Sequence, residues 1–192
     1  MLHALSNRMA ARLKNRGIIN DENIDVYTYG FELLFSFLFS TSVIILIGTI
    51  MSKILETLVF LSIFVILRSY TGGYHAKTYA KCTVVTFSTY ISVILLTVFI
   101  EFVPKSIYIL GTSLCLLIIG VLAPIENQNK KILSSKKIRH KVTSIILGMA
   151  FSVIGLLFYR YNVAIVKAVL FSIIADVILM FPTIIMKGEV YG

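Results

Sequence analysis

Six long apolar segments dominate the pattern of hydrophobic and polar positions along the chain. Most of them approach the roughly 20 residues that a helix needs to cross a bilayer. Backbone polar groups must be hydrogen-bonded within the hydrocarbon layer, and a barrel would require strands of alternating polarity, so each segment predicts a transmembrane helix. The predicted spans are 31–50, 54–67, 83–103, 107–123, 142–159 and 163–181.

The second span is the shortest, because only about 14 apolar residues precede Arg68, fewer than a helix normally needs to cross a bilayer. Three alternatives stay open at this stage. The helix could be tilted, it could borrow residues from the loop at its outer end, or the segment could be re-entrant.

The first 16 residues predict an amphipathic helix before the spans begin. Leu2, Leu5, Met9 and Leu13 recur at spacings of three and four, which leaves a basic face, and Gly17 is placed to end the helix. Basic residues interleave with apolar ones, so the segment is not a signal peptide. The helix is expected either to lie at the membrane interface or to pack on its own protein.

Composition supports a membrane protein and changes how the charge is interpreted. Hydrophobic residues make up 58% of the 192 residues and charged residues 14%, with a mean hydropathy of +0.92. A net charge of +9 can indicate nucleic-acid binding, but in so apolar a chain it points to loops and lipid head groups instead. We therefore expect a bilayer and no nucleic acid as partner.

Lysine and arginine concentrate in alternate connections between the spans. The rich segments are the N-terminal region, the 68–82 connection, the 124–141 connection and the C-terminal tail, whereas the other connections hold few. By the positive-inside rule the rich segments face the cytoplasm, with both termini, in a multi-pass protein of the cell membrane.

The predicted fold class is all-α, a polytopic membrane helical bundle of about six transmembrane helices with an N-terminal amphipathic interfacial helix. No internal repeat or long linker divides the chain, so residues 1–192 form one domain. It comprises a cytoplasmic amphipathic region at 1–30, the six-span bundle at 31–181 and a cytoplasmic tail at 182–192.

Candidate chemistry lies in the connection that follows the second span. Gly72 and Gly73, His75 and Cys82 all occur within 15 residues of Arg68. An imidazole beside a thiol is the usual source of a nucleophilic thiolate near neutral pH, so His75 and Cys82 could form a catalytic dyad. Spacing alone favours a simpler interpretation, an interfacial histidine and a buried cysteine.

The dyad sets a condition on the backbone. On a regular α-helix, side chains seven residues apart share a face but stand about 10.5 Å apart along the axis, beyond the reach of proton transfer. The glycine pair permits a sharp turn. We therefore predict a break in the helix between Gly72 and Thr78.

The segment from Arg68 to Ala76, Arg-Ser-Tyr-Thr-Gly-Gly-Tyr-His-Ala, followed by Cys82, resembles the signature of the accessory gene regulator protein B (AgrB) family. These are membrane cysteine endopeptidases of Gram-positive quorum sensing. The later Ala-Pro-Ile-Glu-Asn at 123–127, with Asn-Lys-Lys at 129–131, resembles the family's basic loop. The resemblance implies that His75 is the general base and Cys82 the nucleophile. It also implies cleavage of a small autoinducer propeptide near its C-terminal side, with closure of a thiolactone or lactone ring.

The same resemblance implies an amphipathic precursor with an acidic C-terminal tail, which basic side chains would attract. Arg68 could instead be a snorkelling anchor for its span. Glu126, Asn127 and Ser69 are candidates for orienting His75. The residues predicted to bind substrate are Arg68, Gly72, Gly73, Lys77, Lys81, Glu126, Asn127, Lys130 and Lys131.

Other positions receive plainer interpretations. Asp176 lies inside the sixth span, where we expect pairing with an Arg or Lys more than a catalytic role. Cys115 is expected to be an inert packing residue. Gly148, Ser152 and Gly155 could mark a packing face within one chain or between two, and the resemblance favours a homodimer.

No cofactor or metal is predicted, since three scattered histidines do not supply a ligand cluster and no phosphate-binding loop is present. Two functions compete. The favoured one is a membrane endopeptidase that processes and cyclises a propeptide. The alternative is a peptide exporter or scaffold without catalysis, which binds an acidic peptide through its basic loops.

Overall fold

The structure is a computed structural model, and it describes residues 2–73, 79–125 and 133–183. Within these ranges the chain is helical and forms no β-strand. The α-helices are α1 (Leu2–Asn15), α2 (Ile24–Ile50), α3 (Ile54–Thr71), α4 (Tyr79–Phe99), α5 (Lys105–Leu122), α6 (Ser134–Leu157) and α7 (Val163–Ile178), with short 3₁₀ turns at Asp21–Asn23 and Phe158–Arg160. Helices α2 to α7 supply six segments that are long and apolar enough to cross a membrane. The predicted all-α polytopic bundle is confirmed.

Helix α2 begins at Ile24, seven residues before the predicted start of the first span, because α1 packs against its first turns. His3 Nδ1 lies 2.7 Å from Glu32 Oε1, and Lys14 forms an ion pair with Asp21. His3, at the start of α1, contacts a residue inside α2, whereas Lys14, at the end of α1, contacts a residue just before α2. The two helices therefore run antiparallel. The amphipathic helix is confirmed, and it packs on its own protein, which was one of the two alternatives.

Helix α3 has 18 residues and continues through Arg68 to Thr71, so the short second span is part of a helix long and apolar enough to cross a membrane. Helix α7 contains Asp176, and its carboxylate pairs with the Arg68 guanidinium. A charge that is paired inside the bundle can be accommodated within a spanning helix. Hydropathy alone ended the span too early because it assigned Arg68 to the loop.

Helix α7 is the central helix of the bundle. It packs against α3, α4, α5 and α6, and an unbroken run of its residues from Val166 to Ile173 is buried. A helix that is apolar around its whole circumference is expected in such a position. Lys167 is the exception, and its ammonium group donates a 2.7 Å hydrogen bond to the carbonyl of Ile100, just beyond the end of α4. Because four other helices pack against α7, Asp176, which lies on α7, is at the centre of the bundle.

The small residues along α6 form a packing face within the chain. The Tyr108 hydroxyl on α5 donates a 2.8 Å hydrogen bond to the Ser152 carbonyl. A Cβ atom at Gly148 would stand 2.6 Å from Leu116 Cδ2, and one at Gly155 would meet the Tyr108 hydroxyl. Helices α5 and α6 thus approach closely because these positions have little or no side chain.

Candidate active site

A tight turn ends α3 at the candidate motif. Gly72 and Gly73 have φ values of +73° and +119°, and the Gly72 N–H donates to the Arg68 carbonyl. Side chains are disfavoured at these φ values, so the glycine pair stops the helix. The predicted break thus begins at Gly72, and the structure describes α4 from Tyr79 onward. His75 and Lys77 lie outside the described residues, so the His75–Cys82 distance remains a prediction.

The second motif segment meets the glycine turn in space. Gly72 and Ile125 form a parallel bridge, and the Ile125 N–H donates a 2.9 Å hydrogen bond to the Thr71 carbonyl. A Cβ atom at Gly72 would collide with the Ile125 carbonyl oxygen. Two segments more than 50 residues apart in sequence therefore build one corner of the site. Glu126, Asn127, Lys130 and Lys131 follow directly and lie outside the described residues.

A buried ion pair joins the end of α3 to α7. Asp176 is 0% exposed, and its carboxylate accepts a 2.9 Å hydrogen bond from the Thr71 hydroxyl. The second carboxylate oxygen lies 3.5 Å from Arg68 Nη1. The Arg68 guanidinium also stands 5.4 Å from the centre of the Phe64 ring, within range of a cation–π interaction. The prediction that Asp176 pairs with a basic side chain is confirmed.

This pair also holds the turn in place. A Cβ atom at Gly73 would lie 3.2 Å from Arg68 Nη1 and 3.0 Å from the Leu179 carbonyl oxygen. Gly73 thus sits tightly between Arg68 and the end of α7. The Thr71 hydroxyl donates to Asp176, and the Thr71 carbonyl accepts from the Ile125 N–H. Thr71 therefore connects α7 to the segment around Ile125.

Cys82 lies in the first turn of α4 and lines a cavity of about 320 Å³ between α2, α3 and α4. Its thiol is partly accessible, whereas Cys115 on α5 is 6% exposed and does not line the cavity. The only two cysteines of the chain therefore have different surroundings. A nucleophile needs such access to a substrate, and a packing residue does not.

Several of the predicted site residues that the structure describes line one cavity. Arg68, Gly72, Gly73 and Ser69 line it together with Cys82. Lys81 is exposed beside Cys82, at the same end of the bundle. The described residues include no group of three His, Cys, Asp or Glu side chains that could hold a metal.

Hydroxyl side chains in the cavity wall escaped the sequence reasoning. They project from two different spans and are Ser36, Ser40, Thr41, Thr83 and Thr86. Ser40 Oγ lies 3.4 Å from Thr83 Oγ1, so α2 and α4 are linked through two of these hydroxyls. The sequence does contain one indication of these hydroxyls. Ser36 and Ser40 are four residues apart in the mainly apolar α2, so they lie on the same face of the helix.

Gly72→Ala is expected to destabilise the turn by roughly 2–4 kcal/mol, because a side chain would meet both an unfavourable φ and the Ile125 carbonyl. Gly17→Ala is the matched control, since Gly17 has a φ of +70° but no atom within 4 Å of the added methyl. Thermal unfolding in detergent measures both. Equal losses in the two variants would mean that the contact with Ile125 contributes nothing.

Known proteins resemble this chain over almost its whole length. The sequence profile described as accessory gene regulator B matches residues 6–181. A protein named AgrB-like from Clostridium perfringens strain SM101 is 26% identical over 209 residues, covering 99% of this chain and 94% of its own length. A second AgrB-like protein, from C. perfringens strain 13, is 25% identical with the same coverage. One from Lactiplantibacillus plantarum is 24% identical over 158 residues, covering 79% of this chain and 76% of its own length.

No solved structure matches the chain. The profile match covers the whole bundle, including the glycine turn, Cys82, Ile125 and Asp176. The chain belongs to the accessory gene regulator B family.

Proposed function

We propose that this protein is a membrane-embedded cysteine endopeptidase. It cleaves the C-terminal part of a small autoinducer propeptide through an acyl-thioester on Cys82, and it promotes thiolactone or lactone closure. Membership of the AgrB family points to autoinducer peptide processing in quorum sensing. The observation that carries the finer proposal is the position of Cys82 on the wall of a cavity bordered by Arg68, the glycine turn and Ile125.

The chemistry follows from a cysteine and an imidazole acting together. His75 accepts the thiol proton of Cys82, and the sulfur attacks the scissile carbonyl carbon. The C–N bond then breaks, and His75 returns the proton to the leaving amine. The acyl group remains on Cys82 as a thioester until a thiol or hydroxyl of the same peptide attacks it. His75 takes the proton of that attacking group, the bond from the acyl carbon to the Cys82 sulfur breaks, and His75 passes the proton to the sulfur.

The reaction has two further requirements. Backbone N–H groups beside Cys82 would stabilise the oxyanion. Apolar side chains of the cavity, such as Phe37 and Leu61, would limit the access of water to the thioester. Ring closure then competes well with hydrolysis.

Basic side chains near Cys82 would attract the acidic C-terminal tail of the precursor, which leaves when the peptide bond is cleaved. Lys81 is exposed next to the nucleophile, and the Arg68 side chain, at 11% exposure, borders the cavity while it pairs with Asp176. We propose that Lys77, Lys130 and Lys131 add to this basic surface, with Glu126 and Asn127 near His75. We propose, from the positive-inside pattern, that this end faces the cytoplasm. A homodimer is part of the proposal and rests on the family resemblance.

Mass spectrometry of the precursor peptide tests the proposal. The short amphipathic peptide encoded beside the gene is co-expressed with the wild-type protein, with Cys82→Ala and with His75→Ala. We expect a C-terminal truncation with the wild type alone, and an acyl adduct on Cys82 when turnover is stopped by rapid denaturation. A full-length peptide in all three samples, with the protein present and folded, would favour the exporter or scaffold.

A further inference from the structure

We infer that the cavity beneath Cys82 binds an apolar segment of the precursor peptide, on the acyl side of the scissile bond, and hydrogen-bonds its backbone through wall hydroxyls. The inference rests on the proposed function, and it adds which part of the substrate the enzyme selects and by which chemistry. Four observations carry it: the direction of the cavity, its apolar floor, its hydroxyl groups and the charge at its rim.

The cavity extends from the glycine turn into the apolar part of the bundle. Its α3 lining includes Leu61, ten residues before the helix ends at Thr71, which corresponds to about 15 Å of helix. Cys82 lies near the rim, since α4 begins only three residues earlier. A peptide whose carbonyl reaches Cys82 can therefore extend further only along the cavity or out across the rim.

Apolar side chains form the inner part of this cavity. Ile44 on α2 is 1% exposed, and it lines the cavity together with Leu61 and Phe64 of α3. Burying an aliphatic or aromatic side chain there is favourable, whereas a charged side chain would lose its hydration without a partner. A volume of about 320 Å³ is at the small end for ligand pockets, so it selects a short segment and not a whole peptide.

Hydroxyls in the wall distinguish a peptide from a lipid chain as the occupant. A peptide backbone brought to this depth needs hydrogen-bond partners, because no bulk water supplies them. Ser36 and Thr41 make no side-chain hydrogen bond to any other residue that the structure describes, so both hydroxyls are available. Thr86 donates to the Cys82 carbonyl, and its oxygen can still accept from a substrate N–H. An acyl chain would make no use of these groups.

The two sides of the scissile bond have opposite requirements, which assigns the acyl side to the cavity. The leaving fragment carries the acidic C-terminal tail of the proposed precursor and must depart, so it suits the rim beside exposed Lys81. The acyl fragment stays on Cys82 and must be kept from water until the ring closes. The mainly apolar cavity next to the sulfur would limit the access of water to the acyl fragment.

Two variants on α2 test the inference. Ser40→Leu fills the cavity, whereas Ser42→Leu adds the same bulk at an exposed position that does not line the cavity. We expect Ser40→Leu to lower the initial rate of peptide truncation at least tenfold, and Ser42→Leu to lower it less than threefold. Protein levels and unfolding temperatures are measured for both variants.

A peptide series with the wild-type protein keeps the test independent of folding. Aspartate is introduced, one position at a time, on either side of the cleavage site of the co-expressed precursor. We expect an aspartate next to the bond on the acyl side to slow truncation at least tenfold, and one on the leaving side to slow it less than threefold. Equal tolerance on both sides, with truncation still dependent on Cys82, would overturn the inference and leave the proposed function standing, with the cavity assigned to lipid. Absence of any Cys82-dependent truncation would overturn the proposed function itself.

Discussion

Replacing Cys82 by alanine is expected to slow cleavage of the precursor by a factor on the order of 10⁴ or more, because the nucleophile of a covalent mechanism has no substitute. His75→Ala should cause a loss of comparable size. Adding the second substitution to the first should cost little further activity, since two groups that act as one unit are not additive. Truncation rates of the four proteins, reconstituted in vesicles with synthetic precursor, measure this.

Cys115→Ala is the matched control for this series. Cys115 is buried on α5 and does not line the cavity, so the variant should retain activity within about threefold of the wild type. A double variant of Cys82 and His75 that is much slower than either single one would show that the two side chains act independently. Equal losses from Cys115→Ala and Cys82→Ala would exclude Cys82 as the nucleophile.

Asp176→Leu is expected to lower the free energy of unfolding by about 3–5 kcal/mol, because it leaves the Arg68 guanidinium without its carboxylate inside the bundle. The Thr71 hydroxyl loses its acceptor at the same time. For a chain of this size such a loss corresponds to a fall of roughly 6–20 °C in the unfolding temperature. Thermal unfolding in detergent or nanodiscs measures the change.

The double variant Arg68→Met with Asp176→Leu separates the ion pair from the packing. Replacing both members of a buried pair by apolar side chains is often neutral, so this variant should recover much of the stability that Asp176→Leu loses. Peptide cleavage should stay low in the double variant, because it lacks the Arg68 side chain that borders the cavity at Cys82. An Asp176→Leu protein that unfolds at the wild-type temperature would contradict a stabilising role for the pair.

Hydropathy located all six spans because length and apolar content alone make a helix able to cross a membrane. Several predicted ends differ from the helix bounds, and two of the differences share a reason. The first turns of α2 are polar, and they are helical because α1 covers them, while α3 continues past Arg68 because Asp176 pairs with it. Both ends depend on contacts between residues far apart in sequence, which no local pattern contains.

Parts of the candidate site were likewise predictable from local sequence, and other parts depended on tertiary contacts. Local chemistry was sufficient for the glycine turn, since a Gly-Gly pair after an apolar run ends a helix, whereas the choice of Cys82 as nucleophile depended on the resemblance to the AgrB family. The hydroxyls of α2 went unnoticed because serine and threonine are common in membrane spans. Their meaning depends on α2 lying opposite Cys82.

By itself the sequence determined the helical class, the number of spans, the turn at Gly72 and the residue types able to do chemistry, because each follows from hydropathy or from local backbone preference. Only the tertiary structure decided that Ile125 docks on Gly72, that Asp176 secures Arg68, and that α2, α3 and α4 enclose a cavity at Cys82. These arrangements arise from helix packing and from the need to pair buried polar groups across the bundle. Such interactions join residues by position in space and leave no periodic signal along the chain.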